Sequence, residues 1–288
     1  MSVDILQEKI RKMKNPSMVE LAMPLSDLPP QFEKTAAGYG AFCRELLNGL
    51  KGTVPAVRVS FACFALLGSE GMTELAETMK AASELGYYVA LDAPEIASPM
   101  MANVLGEALL GESSSYPCDG LIIPGYAGSD IIKPFLPYAK KEKKDIFVIA
   151  RTANKSAPDL QDLLSGTRLV HAAAADHVNR YGEGTEGKHG YTRVGILAAA
   201  SSAESLRSLR AKYPRLFFLL DGFDYPNANA KNCSHAFDKF GHGATACGGT
   251  AITCAWKKEA SDGSDWIDHA VAAADRMKKN LTRYITIL

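Results

Sequence analysis

Val54-Pro55-Ala56-Val57-Arg58-Val59-Ser60-Phe61 is a short apolar, β-rich run, and Tyr87-Tyr88-Val89-Ala90-Leu91-Asp92 is another. Between them, over residues 71–85, leucines and alanines recur at three- and four-residue spacing above a charged face. That periodicity predicts an amphipathic helix joining two strands, and a strand–helix–strand unit of this kind lays its strands parallel. The same alternation continues outward in both directions. Candidate strands cover residues 18–22, 54–61, 87–92, 118–123, 145–152, 194–199, 216–220 and 244–253, and a further amphipathic helix covers 204–213. Eight strands alternating with helices in a chain of 288 residues argue for an α/β fold of the closed (β/α)8 TIM barrel type, with an open doubly wound sheet as the alternative. No Pro/Ser-rich linker divides the chain, so residues 1–288 read as a single domain.

The ends and the loops add detail. Residues 1–15 form an amphipathic, Lys-rich segment and are expected to make an N-terminal helix rather than a signal peptide. Residues 179–193 (NRYGEGTEGKHGYTR) are polar and Gly-rich, and are expected to form a mobile excursion before the sixth strand, either a plain surface loop or a lid.

Composition narrows the function. Lys plus Arg total 32 and Asp plus Glu total 32, so no long-range field draws the chain to nucleic acid or to an anionic membrane. No apolar run approaches the roughly 20 residues needed to span a bilayer. The cytoplasm is the default location, with a small-molecule ligand or a protein as partner. The cysteines Cys43, Cys63, Cys118, Cys233, Cys247 and Cys254 contain no CxxC pair and suit reduced core thiols. Cys233, His235, His242 and Cys247 match no standard zinc spacing, so no metal is expected. The other histidines, His171, His177, His189 and His269, suggest no triad and read as solvated or loop-packing side chains.

In a barrel the chemistry sits where strands end and βα loops begin. The polar residues there are Arg58, Ser60, Asp92, Glu95, Asp130, Thr152, Asn154, Ser201, Ser202, Asp221 and Asp224, with the run Gly248-Gly249-Thr250.

Several segments resemble one family. Asn15-Pro16 with Val19-Glu20-Leu21-Ala22-Met23 is similar to NP..VGLDP, and residues 54–60 to VPAVKPQ. Residues 64–71 (FALLGSEG) are similar to FEALGSEG, 119–136 (DGLIIPGYAGSDIIKPFL) to DAVTVNPYLGSD...PFL, 151–163 (RTANKSAPDLQDL) to KTSNPSSADFQDL, and 194–204 (VGILAAASSAE) to VGAVVGATYPE. Read end to end, the chain resembles the longer bacterial branch of orotidine 5'-monophosphate decarboxylase, the last enzyme of pyrimidine nucleotide synthesis. The resemblance implies a TIM barrel, a carbon–carbon lyase activity without a cofactor, and an active site at a dimer interface.

Cofactor-free decarboxylation of an orotate ring needs a cation that also delivers a proton, set beside carboxylates. The family supplies these from D-x-K-x-x-D. In this chain Asp92 matches the first Asp, but Pro94 stands at the Lys and Ala97 at the second Asp. Arg58 matches an upstream Lys and keeps its charge, yet a guanidinium with a pKa above ~12 is a very poor proton donor. Ala22 replaces the Asp that holds ribose hydroxyls. The family's phosphate loop PGYGAQGG and its SSR or ASR motif correspond to residues 221–228 and 248–250, so Asp221 and Asp224 replace neutral groups and Thr250 replaces Arg. Gly248 and Gly249 could still offer backbone N–H groups to an anion.

The resemblance therefore marks Arg58 and Asp92 as remnant catalytic positions and Thr152, Asn154, Asp221, Asp224, Gly249 and Thr250 as ligand-binding positions. Thr152, Asn154 and Asp130 also have a structural reading, as loop hydrogen bonders, and so does Asp92, as an N-cap for a helix beginning near Ser98 or as a loop anchor. Three functions compete. One is a degenerate decarboxylase-like subunit in a homodimer or in a heterodimer with a decarboxylase homologue. The second is a remodelled enzyme using Arg58, Asp92, Glu95, Asp221 and Asp224 on a cationic or polyhydroxylated ligand, and the third is an active decarboxylase making UMP.

Overall fold

Runs such as Ala56–Ser60, in which every residue is buried, can only be satisfied by a strand covered on both faces, and they assemble accordingly. The computed structural model describes residues 2–93, 96–258 and 261–288. Its strands are β1 (Ser17–Leu21), β2 (Ala56–Ser60), β3 (Tyr88–Asp92), β4 (Gly120–Ile123), β5 (Asp145–Ile149), β6 (Leu164–Ser165), β7 (Arg168–Leu169), β8 (Thr192–Ala199), β9 (Leu216–Asp221) and β10 (Ala244–Gly248). All but β6 and β7 pair in parallel and close a barrel in the order β1-β2-β3-β4-β5-β8-β9-β10. The chain is thus a (β/α)8 barrel, and the open-sheet alternative is excluded. β6 and β7 form a small antiparallel hairpin in the loop after β5.

Two expected strands overrun their carboxyl ends by three residues or more. The last, 244–253, stops at Gly248, because Gly249 (φ −107°, ψ −109°) turns the chain and Thr250–Thr253 is helical. The fifth, 145–152, stops at Ile149, where the N–H groups of Ala150 and Arg151 both turn onto the Leu197 carbonyl. The two predicted helices occur as Gly68–Glu84 and Ala203–Lys212.

The end of the barrel at which strands begin is covered. Helix Val3–Met13 buries Val3, Leu6 and Ile10 against it, Gln7 Oε1 accepts from Gly243 N just ahead of β10, and Lys9 Nζ donates to Gly86 O just ahead of β3. The polar stretch 179–193 lies at this same end. Its first residues finish helix Val170–Gly182, and the rest is tied down, with the backbone N–H groups of Lys188 and His189 each donating to the Asp4 carboxylate at 3.1 Å. It lies at the end opposite the carboxyl ends of the strands.

Among the described residues no helix is long and apolar enough to cross a membrane.

Candidate functional site

Strand register brings the site together. Glu20 on β1 pairs with Arg58 on β2, Arg58 pairs with Ala90 on β3, and Ser60 pairs with Asp92. Asp221 is the last residue of β9. These strand ends surround a cavity of about 320 Å³ whose lining includes Glu20, Ala22, Arg58, Asp221, Asp224 and Cys247.

Arg58 is its centre. The residue is 7 % exposed, and its guanidinium donates from Nη2 to Asp92 Oδ2 at 2.6 Å and from Nη1 to Asp221 Oδ1 at 2.6 Å. Nη1 is also 3.3 Å from Glu20 Oε1. Burial works to lower the Arg58 pKa, but Glu20, Asp92 and Asp221 outweigh it and hold it well above the ordinary value. Arg58 is therefore a permanent cation engaged by carboxylates, and it has no proton to give. Burial pushes the Glu20 carboxyl up to about 7, against the pull of Arg58, with Asp221, Asp92 and Asp224 adding to the rise. Burial also raises the Cys247 thiol well above its usual value, so it remains protonated.

At the rim, Asp224 Oδ2 accepts from Gly249 N at 2.8 Å and from Ala251 N at 2.9 Å. The backbone N–H groups after β10 do present themselves to an anion, and the anion is the chain's own carboxylate. The turn that delivers it is set by Gly222, at φ +72°, a conformation that L side chains rarely adopt. Gly249 itself is hemmed in, because a Cβ there would come within 3.1 Å of Glu20 Oε2 and 3.4 Å of Asp224 Oδ2.

The structure thus gathers Arg58, Asp92, Asp221, Asp224, Gly249 and Thr250 around one cavity mouth, while Thr152 is tied to its own loop and the exposed Asn154 lines a neighbouring cavity with Ser201, Ser202 and Tyr225. Gln161 Oε1 accepts from Thr152 N and Gln161 Nε2 donates to Thr152 Oγ1, which in turn donates to Asn154 Oδ1. Arg151 forks onto Asp162, and buried His171 packs on Gln161 O and Asp162, which together brace the base of the β6–β7 hairpin. Asp130 is exposed, 3.5 Å from Lys133 Nζ. Asp92 does not cap the following helix. Ser98 does, accepting from Met101 N, since its hydroxyl lies one residue ahead of Pro99–Leu110. Pro94 and Glu95 lie outside the described residues.

Glu20 is the site residue that sequence reasoning passed over. Its signal was a single carboxylate inside an apolar strand, two residues before Ala22 and so on the same face as the position where the resemblance expects an Asp.

No protein-family model matches the chain. An orotidine 5'-phosphate decarboxylase of Rhodopirellula baltica is 30 % identical over 277 residues, covering 93 % of this chain and 92 % of its own. One from Clostridium novyi is 24 % identical over 286 residues, covering 98 % of each. Among solved structures, an OMP decarboxylase of Leishmania donovani superposes with a TM-score of 0.74 at 23 % identity, over 97 % of this chain and 99 % of that one. The orotidine 5'-monophosphate decarboxylase of Plasmodium berghei gives 0.78 at 14 % identity, over 98 % and 99 %. These two likenesses are of fold.

Proposed function

The chain belongs to the orotidine 5'-phosphate decarboxylase family, and from that premise we propose that it is a catalytically degenerate member, serving as a structural or regulatory subunit rather than as a decarboxylase. The observation that carries the reading is Asp224. Its carboxylate accepts from the N–H groups of Gly249 and Ala251, in the segment where the resemblance expects the phosphate to be gripped. A nucleotide phosphate entering there would have to displace a tethered anion and then sit beside Asp221 and Glu20, and like charges at such range oppose binding. The remaining pieces agree. Position 94 is Pro where a proton-donating Lys is needed, and Arg58 is a cation that cannot donate.

Pairing, with a second copy or with a decarboxylase homologue, has support on one face. Leu66 is 79 % exposed, and Met100 and Val104 on helix Pro99–Leu110 are 73 % and 63 % exposed, all on the segments that follow the adjacent strands β2 and β3. Beside Leu66 lies an apolar pocket of about 270 Å³, lined by Met23, Pro24, Leu25, Tyr39 and Leu67. Apolar knobs next to an apolar hole suit a self-complementary contact.

The test is an ultraviolet assay following loss of orotidine 5'-monophosphate. No turnover above the uncatalysed rate is expected. Turnover that disappears in Asp92→Asn would overturn the proposal and make the chain an active decarboxylase.

A further inference from the structure

Every donor of the Arg58 guanidinium that forms a short ion pair is used by Asp92 or Asp221, each at 2.6 Å, and Glu20 is left with the long approach of 3.3 Å. Asp224, the next carboxylate out, holds two backbone N–H groups instead. One cation thus serves Glu20, Asp92 and Asp221 on three strands, with Asp224 at the rim. Carboxylates sharing a site under these conditions do not all stay ionised, and the proton goes to the least well-partnered member. We propose that Glu20 is the proton-exchanging acid of this cavity, and that its protonation sets the charge that the barrel mouth presents to a ligand.

Geometry selects Glu20, because its competitors hold short charged or backbone hydrogen bonds. Its side chain is 22 % exposed, so protons reach it from the cavity without its being fully solvated. The charged and titratable groups facing it are Arg58 on β2, Asp92 on β3, Asp221 on β9, Asp224 in the loop after β9 and Cys247 on β10. Burial, supported by Asp221, Asp92 and Asp224 and opposed by Arg58, moves its titration from 4.5 to about 7. When protonated, Glu20 is a neutral hydrogen-bonding group and Arg58 balances part of the remaining charge. When ionised, it adds a negative charge that favours ligands bearing ammonium or hydroxyl donors and works further against phosphate esters. The role goes beyond the family-derived reading and does not depend on it, since no nucleotide takes part in its test.

The test is a carboxyl-carbon NMR titration of the whole chain labelled at Glu side chains, with Glu20 assigned through its backbone. The expected midpoint is about 7, moving down in Asp221→Asn, because Asp221 helps to raise it. A midpoint at the ordinary 4.5, or one that ignores the loss of Asp221, would overturn the proposal. Thermal unfolding supplies a second readout. Between about pH 5 and about pH 8 the melting temperature of the wild type should fall relative to Glu20→Gln by roughly 5 °C, and parallel curves would equally overturn it.

Discussion

Two buried arginines stand at opposite ends of this barrel and behave in opposite ways. Arg210, on helix Ala203–Lys212, lies at the end where strands begin and donates to the carbonyls of Ala236, Tyr213, Pro214, Leu216 and Gly243. Its guanidinium also stacks on Phe218, 3.9 Å from the ring centroid. Arg58, at the end where strands finish, donates to carboxylates. Burial lowers Arg210 to about 10, whereas the carboxylates hold Arg58 well above its ordinary value. The difference separates scaffold from site. Neutral carbonyls use a guanidinium as a fixed brace for loop backbone, while carboxylates make it the hub of a charge balance that one proton can tip.

The comparison breaks first at Arg210. Arg210→Met strips one buried donor set from five carbonyls at once, and is expected to lower stability by about 4 kcal/mol in chemical denaturation. A loss under about 1 kcal/mol would mean that the brace is dispensable. Arg58→Gln comes next, at about 3 kcal/mol near pH 8, because it leaves Asp92 and Asp221 without their cation. That loss should shrink toward pH 5. The sign follows from a carboxyl whose folded pKa is raised: Glu20 contributes its full stability below 4.5, and that stability is lost as pH rises through about 7, most severely without Arg58. Equal losses at both pH values would place Glu20 outside the charge balance.

Asp224→Ala is a smaller change, about 1 kcal/mol in the same denaturation assay, since it frees the N–H groups of Gly249 and Ala251 at a wet rim. Calorimetry with inorganic phosphate should then detect binding to the variant and none to the wild type. Leu66→Asp should leave the fold within about 0.5 kcal/mol, because the residue is 79 % exposed; under the proposed self-pairing the wild type is expected to sediment as a dimer and this variant as a monomer.

Much of the barrel was legible because its strands are buried on both sides and read as continuous apolar runs, such as Leu216–Asp221. The end of β10 was not legible. Residues 250–253 keep strand-forming side chains, and only the backbone turn at Gly249 makes them helical. At the site, Asp92 and Arg58 could be found because they keep the charge of the matching family positions, and Asp221 and Asp224 because they put charge where the pattern has neutral groups. Thr152 and Asn154 match the pattern equally well, but Thr152 is held by Gln161, Asn154 bonds to Thr152 and Ser156, and neither lines the Arg58 cavity, a tertiary detail that spacing does not carry. The Asp224 contact was hidden for the same reason, since it depends on the left-handed turn at Gly222.

Helix Val3–Met13 and the loop tied to it through Asp4 cover the end of the barrel where strands begin, opposite the cavity. Among the described residues, the cavity that holds Glu20 and Arg58 is lined at the carboxyl ends of the strands, with Asp224 at its rim. A ligand bound at the rim therefore sits directly over the cluster of Arg58, Glu20 and their neighbouring carboxylates, and its charge is felt there first.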